Sequence, residues 1–231
     1  MQGLKVVITG GFGVLGRETA KAAAARGARV ALVDFAPAAP DDLKATLREG
    51  AVFIAGADLS DPARAKAAID EAAAALGGID ALLNIAGGFV WQTLEDGDPA
   101  GWERMFRLNL GTAANASRAA LPHLLDSGSG RIVNVGANSA VKAAAGMGAY
   151  AAAKACVHKL TESLAEELKG RVTVNAVLPS IIDTPQNRAD MPDADHSTWV
   201  SPADLAAVML FLASPEARAV TGALRPGTGT V

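Results

Sequence analysis

The chain has 231 residues, with 21 basic and 24 acidic side chains and a formal net charge of -3. No long run of one sign breaks that balance, which argues against a dedicated nucleic-acid surface. Half of the residues are hydrophobic but only 4% are aromatic, and alanine supplies much of the apolar fraction, as in helices packed tightly on a sheet and unlike a membrane protein. The length and the even run of segments suit one domain over 1–231 with a substantial core.

From Met1 the chain passes almost directly into Leu4-Lys5-Val6-Val7-Ile8, without a basic segment, an extended apolar core and a cleavage site in series, so a cytoplasmic location is expected. Val6 to Thr9 reads as the first strand. It ends in Thr9-Gly10-Gly11-Phe12-Gly13-Val14-Leu15-Gly16 and leads into a helix over Arg17 to Arg26. Glycines at these positions let the backbone turn sharply and approach a pyrophosphate, which the helix N-terminus then faces. A tight turn alone would use the same residues. The second strand, Val30 to Val33, ends at Asp34, about twenty residues beyond the glycines, where a carboxylate can accept hydrogen bonds from an adenosine ribose and repel a 2′-phosphate. NAD(H) is therefore expected over NADP(H), against the plainer reading of Asp34 as an exposed acid at a strand end.

Val52 to Ile54 is the third strand, and Asp58-Leu59 follows it. Asp58 either meets the adenine or serves as an ordinary cap. Asp61-Pro62 opens a helix to Leu76, with a capping side chain before proline. Strands over Ala81 to Ile85, Ile132 to Val135 and Val172 to Val177 alternate with helices over Trp102 to Leu125 and Ala149 to Leu168. This rhythm predicts an α/β, doubly wound parallel sheet with helices on both faces. Residues 180–200 lose periodicity and read as a substrate loop or short-helix lid, and Ser201-Pro202 starts another helix. Cys156, the one cysteine, reads as a packed thiol. His123, His158 and His196 form no recognisable metal set, so no metal is expected, and His158 reads as a packing or capping residue.

Tyr150-Ala151-Ala152-Ala153-Lys154 puts a phenol, the only one in the chain, and an ammonium on one helix face. A nearby cation stabilises phenolate and makes the hydroxyl a usable acid or base near neutrality. Joined to the glycine turn, Asp34 and Asn84-Ile85-Ala86-Gly87, the pair resembles the short-chain dehydrogenase/reductase family across essentially the whole chain. The resemblance implies a seven-stranded sheet, with Tyr150 as proton donor or acceptor and Lys154 holding the nicotinamide ribose and lowering the tyrosine pKa. It implies that Asn109 supports a water-linked proton relay and that Asn84, Ala86 and Gly87 belong to the cofactor site. Pro179, Ile182 and Thr184 would line its nicotinamide side. It further implies a homodimer or homotetramer, which suits the small apolar residues on more than one face of the two long helices.

Three departures stand out. The middle glycine is Gly13, where most family members of this length would have it at Val14, and Ile85 replaces a common asparagine. The usual serine, thirteen positions before the tyrosine, is Ala137, and loss of one such donor costs about 3 kcal/mol in the transition state. Ser139 and Asn138 are alternative donors. Gly136-Ala137, Gly146-Met147, Ala86-Gly87-Gly88-Phe89 and Asp183-Thr184-Pro185 resemble the quinonoid dihydropteridine reductase subfamily, which also carries alanine at the serine position. That narrower resemblance implies an electron-poor acceptor, with Phe89 or Trp91 beside a flat ring and Met147 nearby, whereas packing under the lid is the other reading of both aromatics. A ketone or 3-oxoacyl reductase is the competing expectation, and a nucleotide-sensing scaffold with weakened catalysis is a third.

Overall fold

The computed structural model describes residues 1–47 and 50–229. Seven parallel strands form one sheet in the order β3-β2-β1-β4-β5-β6-β7. They are β1 Lys5–Thr9, β2 Arg29–Val33, β3 Val52–Ile54, β4 Ala81–Asn84, β5 Gly130–Val135, β6 Val172–Pro179 and β7 Leu224–Gly227. Six of them fall where short β-rich runs predicted them; β7, which contains Pro226 and Gly227, pairs only with β6 at the edge. Proline is tolerated there because an edge strand has one side free of ladder bonds.

Between the strands run α1 Val14–Ala25, α2 Asp41–Leu47, α3 Pro62–Leu76, α4 Ala100–Met105, α5 Thr112–Asp126, α6 Gly148–Glu167, α7 Pro185–Asp190 and α8 Pro202–Leu212. The two helix starts read from sequence have real caps. Asp61 accepts from the Ala63 and Arg64 amides, both at 2.9 Å, and the Ser201 hydroxyl accepts from Asp204 at 3.0 Å. The expected single helix over 102–125 contains a π-helical turn, Phe106–Gly111, between α4 and α5. The 180–200 segment contains α7 and a 3-10 turn, His196–Thr198.

Alternate strand residues feed two cores, as strand geometry requires. Val6, Ile8 and Leu32 pack with Leu205 and Met209 of α8, on the α1 side. Val7, Ala31 and Leu82 pack with Leu76 of α3 and Leu124 of α5 on the other side. Both layers are nearly solvent-free, and each fully buried Leu or Ile contributes about 1.5–3 kcal/mol. No helix among the described residues is long and apolar enough to cross a membrane.

The sheet reverses its strand order between β1 and β4. At such a switch point the chain leaves neighbouring strands towards opposite faces and opens a crevice at their carboxyl ends, where ligands bind in open α/β sheets.

Candidate active site

A cleft of about 840 Å³ fills that crevice and runs from Asp34 and Asp58 at one end to Tyr150 and Lys154 at the other. The glycine turn forms its floor. Gly10 has φ +64, and a Cβ there would lie 2.8 Å from the Ala86 nitrogen, while a Cβ on Gly16 would collide with the Gly10 carbonyl oxygen. Val14 and Leu15 line the cleft with them, and Gly13 is the N-cap of α1, with no side chain satisfying its first turn. The shifted middle glycine thus leaves the helix N-terminus open to the cleft, with backbone N–H groups for an anion.

Asp34 is held by both carboxylate oxygens. Oδ2 accepts from the Phe12 amide at 2.9 Å and Oδ1 from Ala36 at 3.0 Å, tying the end of β2 to the glycine turn. Each oxygen keeps a second lone pair for a ribose hydroxyl. Asp58 accepts from the Ser60 amide at 3.0 Å and its hydroxyl at 2.6 Å; that hydroxyl, assisted by Arg107 and Arg64, holds the carboxyl below its usual range. It therefore combines the two readings, locking a local turn while lining the cleft beside Leu59. Phe35, 71% exposed, stands at the same end; its position directly after Asp34 was the available sequence signal. A glycine cradle that admits no Cβ at Gly10 or Gly16, an uncapped helix N-terminus and a carboxylate some way along the cleft fit a nicotinamide dinucleotide.

At the other end, Tyr150 and Lys154 occupy successive turns of α6. Lys154 Nζ donates to the Val135 carbonyl at 2.7 Å and lies 5.9 Å from the centre of the Tyr150 ring. Burial pushes the phenol up to about 12 and the ammonium down to about 8. The expected lowering of the tyrosine by the lysine is therefore outweighed by the desolvation of each group. Phe89 meets the Tyr150 ring edge to face, with centroids 5.0 Å apart.

Asn109 sits in the π-helical turn, 1% exposed. Its Nδ2 donates to the carbonyls of Gly88 at 2.9 Å and Met105 at 3.0 Å, and its Oδ1 accepts from the Gly88 amide at 3.3 Å. A Cβ on Gly87 would lie 2.6 Å from Asn109 Oδ1 and 3.5 Å from Lys154 Nζ, so the glycine leaves those two side chains room to approach each other. Ala86, Ile182 and Thr184 complete this part of the wall, and Thr184 also caps α7 by accepting from Asn187.

Other expected residues stand behind the wall. Thr9 Oγ1 accepts from the Ile85 and Ala86 amides, both at 3.1 Å, fixing the β4 end. Asn84 is buried within the sheet, where its Nδ2 donates to Ser117 Oγ and Asn134 Oδ1 at 2.9 Å; its side chain shares the face of Leu82, away from the cleft. Pro179 is buried at the end of β6. Trp91, Ala137, Ser139 and Met147 do not line the cleft. The Trp91 indole donates to the Ala145 carbonyl at 3.1 Å and covers Gly146, clasping two loops together. Ala137 is buried with no donor on its side chain, Ser139 is half-buried and Asn138 is exposed. The histidines lie apart: His123 pairs with Asp70, His196 bonds the Met191 carbonyl, and His158 accepts from the Ala137 amide.

The sequence model described as short chain dehydrogenase matches residues 4–195. The chain is 35% identical over 233 residues to a meso-2,3-butanediol dehydrogenase of Serratia marcescens, covering 97% of this chain and 92% of that protein. It is 33% identical over 235 residues to a 2-(S)-hydroxypropyl-CoM dehydrogenase of Xanthobacter autotrophicus, covering 94% and 92%. The crystal structure of a short chain dehydrogenase from Burkholderia cenocepacia in complex with NADP superposes with a TM-score of 0.91 at 35% identity, covering 99% of this chain and 97% of that one. The parallel sheet, the crevice at its switch point and these similarities together make the chain a member of the short-chain dehydrogenase family, and an oxidoreductase.

Proposed function

We propose that the protein interconverts a small secondary alcohol and its ketone with NAD(H), and that Tyr150 moves the proton. The observation that carries this reading is a continuous cleft with Asp34 at one end and Tyr150 beside Lys154 at the other. A bound nicotinamide supplies or accepts the hydride. The open N-terminus of α1 holds the pyrophosphate, and Asp34 takes the adenosine ribose hydroxyls and disfavours a 2′-phosphate, in contrast to the Burkholderia protein with its NADP. Lys154, mostly protonated at pH 7 with a pKa of about 8, holds the nicotinamide ribose. Tyr150 is neutral there and so carries the proton that a ketone takes up on reduction. Asn109 keeps Gly88 and the π-helical turn in place beside Lys154 and supports proton exchange with solvent. Residues 180–200, which place Ile182 and Thr184 on the wall, act as the lid. The working form is a homodimer or homotetramer.

The relatives named for secondary alcohols favour this substrate class. Ala137 favours a second reading in which the acceptor is electron-poor and conjugated, such as a quinonoid dihydropterin, because such a ring takes hydride without a second hydrogen-bond donor. NADH oxidation against hydroxyketones, diketones and a quinonoid dihydropterin formed in the cuvette separates the two, each acceptor being repeated with Tyr150→Phe. Turnover is expected to fall by about 10²-fold or more in the variant; undiminished turnover would remove Tyr150 from the chemistry. Dihydropterin turnover with weak ketone activity would select the second reading.

A further inference from the structure

The face of α6 that carries Tyr150 and Lys154 continues one turn further to His158, which is 6% exposed. Its Nε2 lies 3.3 Å from the Ala137 backbone nitrogen, which can only donate. Nε2 therefore carries a lone pair, the ring is neutral, and its proton is on Nδ1. The strand makes room for it: a Cβ on Gly136 would lie 2.5 Å from Nε2 and 2.7 Å from Cδ2. One turn earlier, Lys154 donates to the Val135 carbonyl. Two side chains of one helix thus grip the end of β5 with opposite polarity, Lys154 on a carbonyl and His158 on an amide two residues on.

We propose that His158 is a positioning residue of this centre: its neutral imidazole holds the Gly136-Ala137 strand end against the helix that carries Tyr150 and Lys154, and protonation releases the hold. The proposal rests on the reading of Tyr150 as the acid. An imidazolium has two donors and no acceptor, so it would turn an N–H towards the Ala137 N–H and add a second cation to the face of Lys154. Burial first, then Lys154 and also Lys159, keep the ring below the ordinary histidine range, while Glu162 opposes them. The neighbours on this side, Gly136 and Ala137 just beyond β5 and Leu178 of β6, carry no ionisable side chain. The grip therefore holds through neutral pH and is lost as the pH falls through that lowered pKa. Val135, two residues before Ala137, lines the cleft with Tyr150 and Lys154, so movement of this strand end shifts the cleft wall against Tyr150 while leaving the Asp34 end in place.

Two measurements on the full chain test this. Imidazole nitrogen NMR, with signals assigned by substituting each histidine in turn, is expected to show His158 as the Nδ1–H tautomer, titrating below the ordinary range. An Nε2–H tautomer would overturn the proposal, and this result stands whether or not any acceptor is turned over, so it is separable from failure of the Tyr150 assignment. Kinetically, kcat/KM for the acceptor should show an acid limb that disappears in His158→Gln, whose amide oxygen can take the Ala137 N–H without titrating. His158→Leu should lower kcat/KM at neutral pH by about five- to tenfold, the worth of one hydrogen bond, with KM for NADH unchanged. An acid limb unchanged in His158→Gln, or wild-type kinetics in His158→Leu, would overturn it.

Discussion

Lys154 is buried with no carboxylate partner among the described residues and bonds the Val135 carbonyl, so its charge is held at the expense of folding. A fall from 10.5 to about 8 corresponds to ~3 kcal/mol of destabilisation of the folded state at neutral pH. Lys154→Met keeps the length and apolar stem and removes the charge, and it also loses the bond to Val135, worth about 1 kcal/mol. The variant is therefore expected to be inactive yet about 2 kcal/mol more stable at pH 7, a rise in Tm of roughly 4–8 °C for a chain of this size. The sign reverses with pH. The unfolded chain binds the lysine proton more tightly, so the wild type gains stability as the pH rises from about 8 to 10.5, and the difference swings to about 1 kcal/mol in its favour. Tyr150, pushed up to about 12, ionises first in the unfolded chain and removes stability above pH 10, but it does so in both proteins and cancels in the comparison. Urea unfolding of both, followed by tryptophan fluorescence at fixed protein concentration without nucleotide, measures the difference across pH 7 to 10.5. A variant less stable at pH 7, or a difference that does not change with pH, would refute the assignment of a costly buried cation.

Asp34→Asn removes the charge but keeps one amide acceptor for the Phe12 or Ala36 N–H; the NADPH-to-NADH affinity ratio, read by nucleotide fluorescence titration, should rise about tenfold or more. Ala137→Ser restores a hydroxyl at the strand end and should raise kcat/KM on simple ketones by about tenfold, with little effect on an electron-poor acceptor; equal effects on both would remove the donor argument. Asp61→Ala deletes the double cap on α3 and should cost about 1 kcal/mol in chemical unfolding, with activity retained.

The parts of the site that were legible in sequence are those fixed by short-range spacing. Glycines ending a strand, an acid ending the next and a Tyr/Lys pair four residues apart each need only local geometry to be read, and the structure gathers Gly10, Asp34, Tyr150 and Lys154 along one cleft. Asn84 shows where that reading ran out. It lies in a segment that touches the cleft, but strand alternation turns its side chain into the sheet, where Ser117 and Asn134 bind it. Leu224-Arg225-Pro226-Gly227 lacks the apolar alternation of a strand and pairs on one side only, so β7 followed from the family resemblance rather than from its own residues. The seven residues of α2 were too few for a period, although Pro40 and Asp41-Asp42 mark its start. The bond between Ala137 and His158 spans twenty-one positions and depends on how α6 meets β5, which no local pattern encodes.

The π-helical turn at Phe106–Gly111 separates the fate of the centre from that of the helix that carries it. A π-turn holds one residue more than the α-turn it replaces. Deleting a single codon in this stretch would let the turn close into regular α geometry with both flanks still in phase, so α5 would keep the face it presents to α3. Only the side chains inside the turn would be re-aimed, and Asn109, which bonds Gly88, is one of them. A one-codon deletion here would therefore disturb the centre while leaving a well-formed and correctly packed helix behind.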